Sequence, residues 1–135
     1  MIFNNKFKRN LKLEKNIAEI LKEHSLVISV AESCTGGLLS SRLTDISGSS
    51  EYIRANFVTY SNESKMALLD VKDETLRVYG AVSEQCAREM SEGLYRKTKA
   101  DIAISTTGLA GPTGATETKP IGLMYVGITN RCKSV

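Results

Sequence analysis

The sequence predicts an α/β fold of three layers, α/β/α, around a parallel or mixed central sheet that is shortened at the C-terminus. Three observations carry this. Short apolar runs rich in β-branched residues alternate with stretches of helical periodicity, the pattern of a sheet covered by helices on both faces. The stretches richest in glycine and hydroxyl residues fall where such strands would end. A chain of 135 residues with 41% hydrophobic and 24% charged content suffices for one packed domain, and no repeat, low-complexity tract or linker divides it.

Leu13, Ile17, Ile20 and Leu21 recur at helical spacing, so residues 8–23 read as an amphipathic helix within an N-terminal stretch of 1–25. Leu26-Val-Ile-Ser-Val-Ala31 is short and apolar, a buried strand. It runs into Glu32-Ser-Cys-Thr-Gly-Gly37 and then into Leu38-Leu-Ser-Ser-Arg-Leu43, which reads as helix. Ser47-Gly-Ser-Ser50 is a turn before a second strand over residues 53–60. Residues 62–69 form a short helix capped by Ser61 or Asn62, and residues 73–79 another closed by Gly80. Ser83 caps a longer helix reaching Lys97, with Cys86, Met90 and Leu94 on one face. Residues 101–107 are a third strand and 121–129 a fourth, joined by a loop from Gly108 to Pro120.

Composition removes several function classes. The net charge of +3 is slight, and its excess sits near the ends in Lys6, Lys8, Arg9, Lys12, Lys15, Arg131 and Lys133, which reads as solvated termini rather than a nucleic-acid surface. No apolar run reaches the length of a membrane span and no signal-peptide pattern follows the basic start, so a cytoplasmic protein without a membrane partner is expected. Cys34, Cys86 and Cys132 fit neither a disulfide framework nor a zinc signature. His24 is the only histidine and neighbours no candidate nucleophile, which excludes Ser-His-Asp and Cys-His sites within the chain.

In sheets of this type ligands bind beyond the carboxyl ends of the strands. That rule brings together residues 32–37, 60–65 and 106–119. The first offers Ser33 and Cys34 before a helix start with Thr35, Gly36 and Gly37; its free amides suit an anion or oxyanion, and a plain strand-to-helix turn accounts for it equally. The second places Ser61 and Lys65 four apart on one helical face. Lys65 is either a general base with a depressed pKa or an ordinary surface lysine. The third, Thr106-Thr-Gly-Leu-Ala-Gly-Pro-Thr-Gly114, reads as a phosphate-binding path or a mobile turn.

Together, Ala31-Glu-Ser-Cys-Thr-Gly-Gly37, Val58-Thr-Tyr-Ser-Asn62 with Lys65, Gly80-Ala-Val-Ser-Glu84, and Gly108-Leu-Ala-Gly-Pro112 through Lys119-Pro-Ile-Gly122 resemble the C-terminal domain of the CinA family, over about residues 26–128. That domain also occurs alone as nicotinamide mononucleotide deamidase. The resemblance implies a single amidohydrolase domain over 1–135 that converts nicotinamide mononucleotide to nicotinic acid mononucleotide and ammonia. It assigns the nucleophile to Ser33 and the base to Lys65. It puts Tyr60 and Thr107 at the substrate, and amides around Thr35, Gly36, Gly37 and Gly108 are then candidates to contact it. No metal or other cofactor is implied. The sequence departs from the family at Ala115, where a glycine is usual, and in having no upstream domain. Members also continue past the fourth strand into a further strand and a helix bearing an arginine near the substrate, whereas this sequence stops at Val135.

Two readings rival the hydrolase: a non-catalytic nucleotide-binding or interaction module with the same fold, and a thiol enzyme using Cys34. The apolar fourth strand, with nothing after Asn130 long enough to cover it, leads to one further expectation. The chain self-associates as a homo-oligomer, a dimer being the simplest case, and turns over weakly compared with a longer form. Light scattering and ammonia release on both lengths check this; a monomeric, fully active 135-residue chain contradicts it.

Overall fold

The computed structural model describes residues 11–135. Its elements are α1 (Lys12–Glu23), β1 (Ile28–Glu32), α2 (Leu38–Thr44), a 3₁₀ turn (Ser49–Glu51), β2 (Ile53–Val58), α3 (Asn62–Leu69), α4 (Asp73–Val78), α5 (Glu84–Thr98), β3 (Ile102–Gly108) and β4 (Met124–Asn130). The sheet runs β2-β1-β3-β4, with the first three strands parallel and β4 antiparallel to β3. The expected mixed sheet is therefore present.

Alternation along the strands builds two cores. Ala31 and Ala103 face a cluster made with Leu69, Leu76, Cys86, Met90 and Leu94 from α3, α4 and α5. Ile28 and Val30 point the other way, to Ala18, Leu21, Leu43 and Tyr52. Each face of the sheet thus has its own helical layer. The connection from β1 to β2 lies on one face and that from β2 to β3 on the other, so the chain reverses direction at β1 and opens a crevice at its C-terminal end.

Local chemistry sets most boundaries. Ser61 caps α3 by accepting from Ser64 N, and Ser83 caps α5 by accepting from Cys86 N. Gly80, at φ +79°, takes the left-handed turn after α4. Beyond shifts of one or two residues at other element ends, three boundaries or faces differ from expectation. In α1 the buried residues are Glu14, Ala18 and Leu21, while Leu13 and Ile20 lie exposed; Glu14 turns inward because it holds the Arg42 guanidinium of α2. The portion of that helix expected at residues 8–10 lies outside the described residues. β4 starts at Met124 rather than Ile121, because Leu123 N bonds Pro120 O and Gly122 N bonds Leu109 O in a turn.

The third difference lies beyond β4. Asn130 Oδ1 accepts from Cys132 N and Lys133 N, which reverses the chain, and Ile128 and Val135 exchange backbone hydrogen bonds at 2.8 and 2.9 Å. The last residues therefore pair with the outer edge of β4, which the sequence left unpaired. Its face does remain open: Met124, Val126 and Ile128 are exposed, while Gly127 and Thr129 pack under α5. Among the described residues no helix is long and apolar enough to cross a membrane.

α3 and α5 meet at Gly93, where a Cβ would fall within the Leu69 carbonyl group. Since backbone, not a flexible side chain, blocks the space, Gly93→Ala has to separate the two helices. It is expected to destabilise the fold by about 1–3 kcal/mol. A lower urea midpoint at unchanged slope is the expected measurement; an unchanged midpoint shows that the helices are free to part.

Candidate active site

The site is built at the end of β1. Ser33 N donates to Thr106 O at 3.0 Å, and Thr59 N donates to Glu32 O at 2.8 Å, so ladders on both sides hold the β1 end where Ser33 emerges. Lys65 sits one turn into α3, whose start follows β2 directly. Adjacent parallel strands thus deliver the two residues to the same end of the sheet, although 32 positions separate them.

Lys65 is 1% exposed and Ser33 8%. Lys65 Nζ lies 3.0 Å from Ser33 Oγ, 2.8 Å from Thr59 O and 3.4 Å from Tyr60 O. The two carbonyls can only accept. A neutral amine has two N–H donors and one lone pair, so when it donates to Thr59 and Tyr60 its lone pair is left for the Ser33 hydroxyl proton. Burial lowers the Lys65 pKa, with nearby Cys86 and Cys34 opposing, and so favours that neutral form.

Glu32, fully buried, organises the turn after Ser33. Its carboxylate accepts from Gly37 N, Leu39 N, Ser40 N and Ser40 Oγ, at 3.1, 3.0, 2.8 and 2.6 Å. Burial pushes its pKa up, but these bonds and one from Thr35 outweigh it and keep the group ionised below the usual range. The carboxylate thereby occupies the donors that open α2. Gly36 N is also taken, by Ser33 O. The N–H groups of Cys34 and Thr35 bond no oxygen among the described residues.

A cleft of ≈ 290 Å³ opens above this pair, lined by Ser33, Cys34, Tyr60 and Lys65, by Ala81 and Val82 ahead of α5, and by Thr107 to Gly111 and Thr113. It gathers five of the expected site residues: Ser33, Lys65, Tyr60, Thr107 and Gly108. Tyr60 stands at the rim, 74% exposed. Thr107 is buried and donates to Ala81 O at 2.7 Å, joining the loop to the facing wall. At Gly108 a Cβ would meet Leu123 O at 2.6 Å and Cys34 Sγ at 3.1 Å, so a side chain is excluded there. Thr35, Gly36 and Gly37 do not line the cleft. Thr35 shares a hydrogen bond with Thr106, and both glycines take positive φ angles in the turn itself. Among the described residues no group of His, Cys, Asp and Glu is arranged to hold a metal.

The model of the CinA C-terminal domain matches residues 10–135. This chain belongs to the CinA C-terminal domain family. It is 54% identical over 124 residues to a CinA-like protein of Chloroherpeton thalassium, covering 92% of this chain and 30% of that protein. It is 51% identical over 122 residues to a putative competence-damage inducible protein of Caldicellulosiruptor saccharolyticus, covering 90% and 30%. The chain therefore spans under a third of the length of these relatives. Among solved structures, it aligns with the competence/damage inducible protein CihA of Agrobacterium tumefaciens at TM-score 0.91 and 38% identity, covering 100% of this chain and 81% of the other. The competence damage-inducible protein A of Klebsiella pneumoniae aligns at 0.88 and 36%, covering 93% and 78%.

Within the CinA fold, two features escaped the sequence reading. Glu32 read as the first residue of the loop that follows the first strand; only the return of α2 over it reveals a cap. Cys86 looked like a core residue of α5, which it is, but it also lies near the Lys65 amine, and burial raises its thiol pKa to about 11. The Cys34 thiol is likewise raised by burial, against partial relief from its own N–H and from Lys65. A protonated thiol is a poor nucleophile.

The lowered Lys65 pKa has a measurable consequence. In the unfolded chain the amine keeps a proton up to about its ordinary 10.5. Between the depressed folded value and 10.5 the unfolded state binds more protons, so this group makes stability rise with pH. Lys65→Met removes that slope. Relative to wild type the variant is expected to lose stability as pH is raised from the depressed folded value toward 10.5, by urea unfolding; a difference independent of pH places the folded pKa at its ordinary value.

Proposed function

We propose that this domain hydrolyses a primary carboxamide, that of nicotinamide mononucleotide, to the carboxylate and ammonia, with Ser33 as nucleophile and Lys65 as general base and acid. The observation that carries the reading is the 3.0 Å contact between a buried lysine amine and a serine hydroxyl at the floor of a cleft. Membership of the CinA family, with its likeness to nicotinamide mononucleotide deamidase, supports the substrate.

The steps follow from the hydrogen-bond geometry. Lys65 Nζ takes the Ser33 hydroxyl proton as Oγ attacks the amide carbon, and the carbonyl π electrons move onto oxygen. The N–H of Cys34, a residue of the cleft lining that bonds no oxygen through this group among the described residues, is the donor available to that oxyanion, a role worth roughly 3 kcal/mol where it has been measured in other enzymes. Lys65 then returns the proton to nitrogen, the C–N bond breaks and ammonia leaves an acyl-Ser33 ester. Water, deprotonated by the same amine, attacks the ester; the C–Oγ bond breaks and Ser33 regains its proton. In this scheme Thr59 and Tyr60 carbonyls stabilise the ammonium formed in each half-reaction.

Ser33→Ala is expected to reduce ammonia release from nicotinamide mononucleotide by about three orders of magnitude or more. Cys34→Ala should retain substantial activity, because a thiol held protonated contributes no nucleophile. The opposite pattern would move the nucleophile to Cys34. Lys65→Arg should be nearly as damaging as Lys65→Ala, since a guanidinium does not release its proton near neutral pH. An active arginine variant would make Lys65 an electrostatic residue rather than a base.

A further inference from the structure

The cleft has two facing walls. Leu109, Ala110, Gly111 and Thr113 form one, and Ala81 with Val82 the other. Lys119 lies where the first wall's loop returns toward β4. Its backbone is fixed by a turn with Thr116, through Thr116 N to Lys119 O at 3.0 Å and Lys119 N to Thr116 Oγ1 at 3.1 Å. Its side chain reaches across to the other wall, where Nζ donates to Tyr79 O at 2.7 Å. Gly80 lies directly beneath: a Cβ there would stand 3.3 Å from Nζ. The ammonium is therefore seated on the shoulder of the wall that continues as Ala81 and Val82.

Its surroundings leave this charge uncompensated. Lys22, Lys72 and Lys97 each pair with a carboxylate, on Glu51, Glu89 and Asp70. No carboxylate among the described residues lies within 4.0 Å of Lys119 Nζ. Its one hydrogen-bond acceptor among the described residues is a neutral carbonyl, which leaves two N–H donors unassigned there on a half-buried ammonium. Among the described residues the one cation lining the cleft itself, Lys65, is turned onto Ser33. A substrate whose amide sits at Ser33 and which carries an anion at its far end would find, among the described residues, no other seated cation beside the wall at Ala81 and Val82.

We infer that Lys119 is the specificity-determining residue of the cleft, binding a phosphomonoester carried by the substrate away from its amide. The inference rests on the reading of Ser33 and Lys65 as the reacting pair. An ammonium held in place before binding has little side-chain freedom left to lose, so the contact favours a charged substrate over its neutral counterpart.

The test compares nicotinamide mononucleotide with its dephosphorylated nucleoside in wild type, Lys119→Gln and Lys119→Arg. For the nucleotide, Lys119→Gln is expected to raise KM about tenfold with kcat little changed, and to leave the nucleoside's KM where it was. Lys119→Arg should restore most of the preference. Equal losses for both substrates would make Lys119 a strut between the walls, and unchanged constants would make it a bystander; either result overturns the inference. Calorimetric titration of both ligands into Ser33→Ala, with and without Lys119→Gln, separates this from the hydrolysis itself. If no amide is cleaved by wild type but the Lys119 change still abolishes the preference for the phosphorylated ligand, the chemistry assigned to Ser33 fails and the anion site stands. If ammonia is released and the preference survives the change, only the anion site fails.

Discussion

An ammonium taken out of water costs several kcal/mol unless its N–H groups find acceptors, and that constraint governs the arrangement around Lys65. Its acceptors come from the end of β1 and from the segment joining β2 to α3. They reach one point only if β1 and β2 pair in register and α3 starts without delay. Ser61 makes that prompt start feasible by capping the helix at its first turn. The sheet order, the short connection and the cap thus all serve the placement of one nitrogen. Two of its acceptors are carbonyls, so the geometry tolerates loss of a proton, provided the lone pair then faces the serine.

Glu32 plays the complementary part on the other face. A carboxylate buried beside a strand end is stable when N–H donors surround it, and the first turn of α2 supplies them. The helix start that would otherwise attract an external anion is satisfied from within. Ser33 lies between these two buried ionisable groups, with a lysine on one side and a glutamate's hydrogen-bond shell on the other. Cys34, next in line, gains only partial relief from Lys65, and burial holds its thiol protonated.

Much of this was legible in the sequence because short-range chemistry encodes it. Ser61, Ser83 and Gly80 mark helix ends through their own backbone or side-chain preferences, and the structure places those ends there. The gathering of Ser33, Lys65, Tyr60, Thr107 and Gly108 followed from where strands end in a parallel sheet. Long-range partnerships were not legible. Periodicity assigned Leu13 and Ile20 of α1 to the core, but the Glu14 contact with Arg42 turns both outward. Gly36 and Gly37 looked like open anion donors, since nothing local shows that Ser33 O takes the Gly36 N–H and that Glu32 folds back on the Gly37 N–H. The start of β4 was misread because Ile121 is as apolar as a strand residue, while the turn at Pro120 to Leu123 is set by bonds to a loop ten or more positions away.

The contact between Gly93 and the Leu69 carbonyl fixes more than a helix spacing. α3 carries Lys65 near one end and Leu69 at the other, and α5 abuts it backbone to backbone with no cushioning side chain between. That makes α5 a rigid stop against which the amine's position is gauged. Side-chain packing would let the helix slide by fractions of an ångström; a carbonyl pressed on a bare Cα allows far less slack. Alignment of reacting groups is sensitive at about that scale, where 1 Å can change a rate by roughly 10². The precision of the pair is thus anchored on the opposite side of α3, at a residue with no side chain of its own.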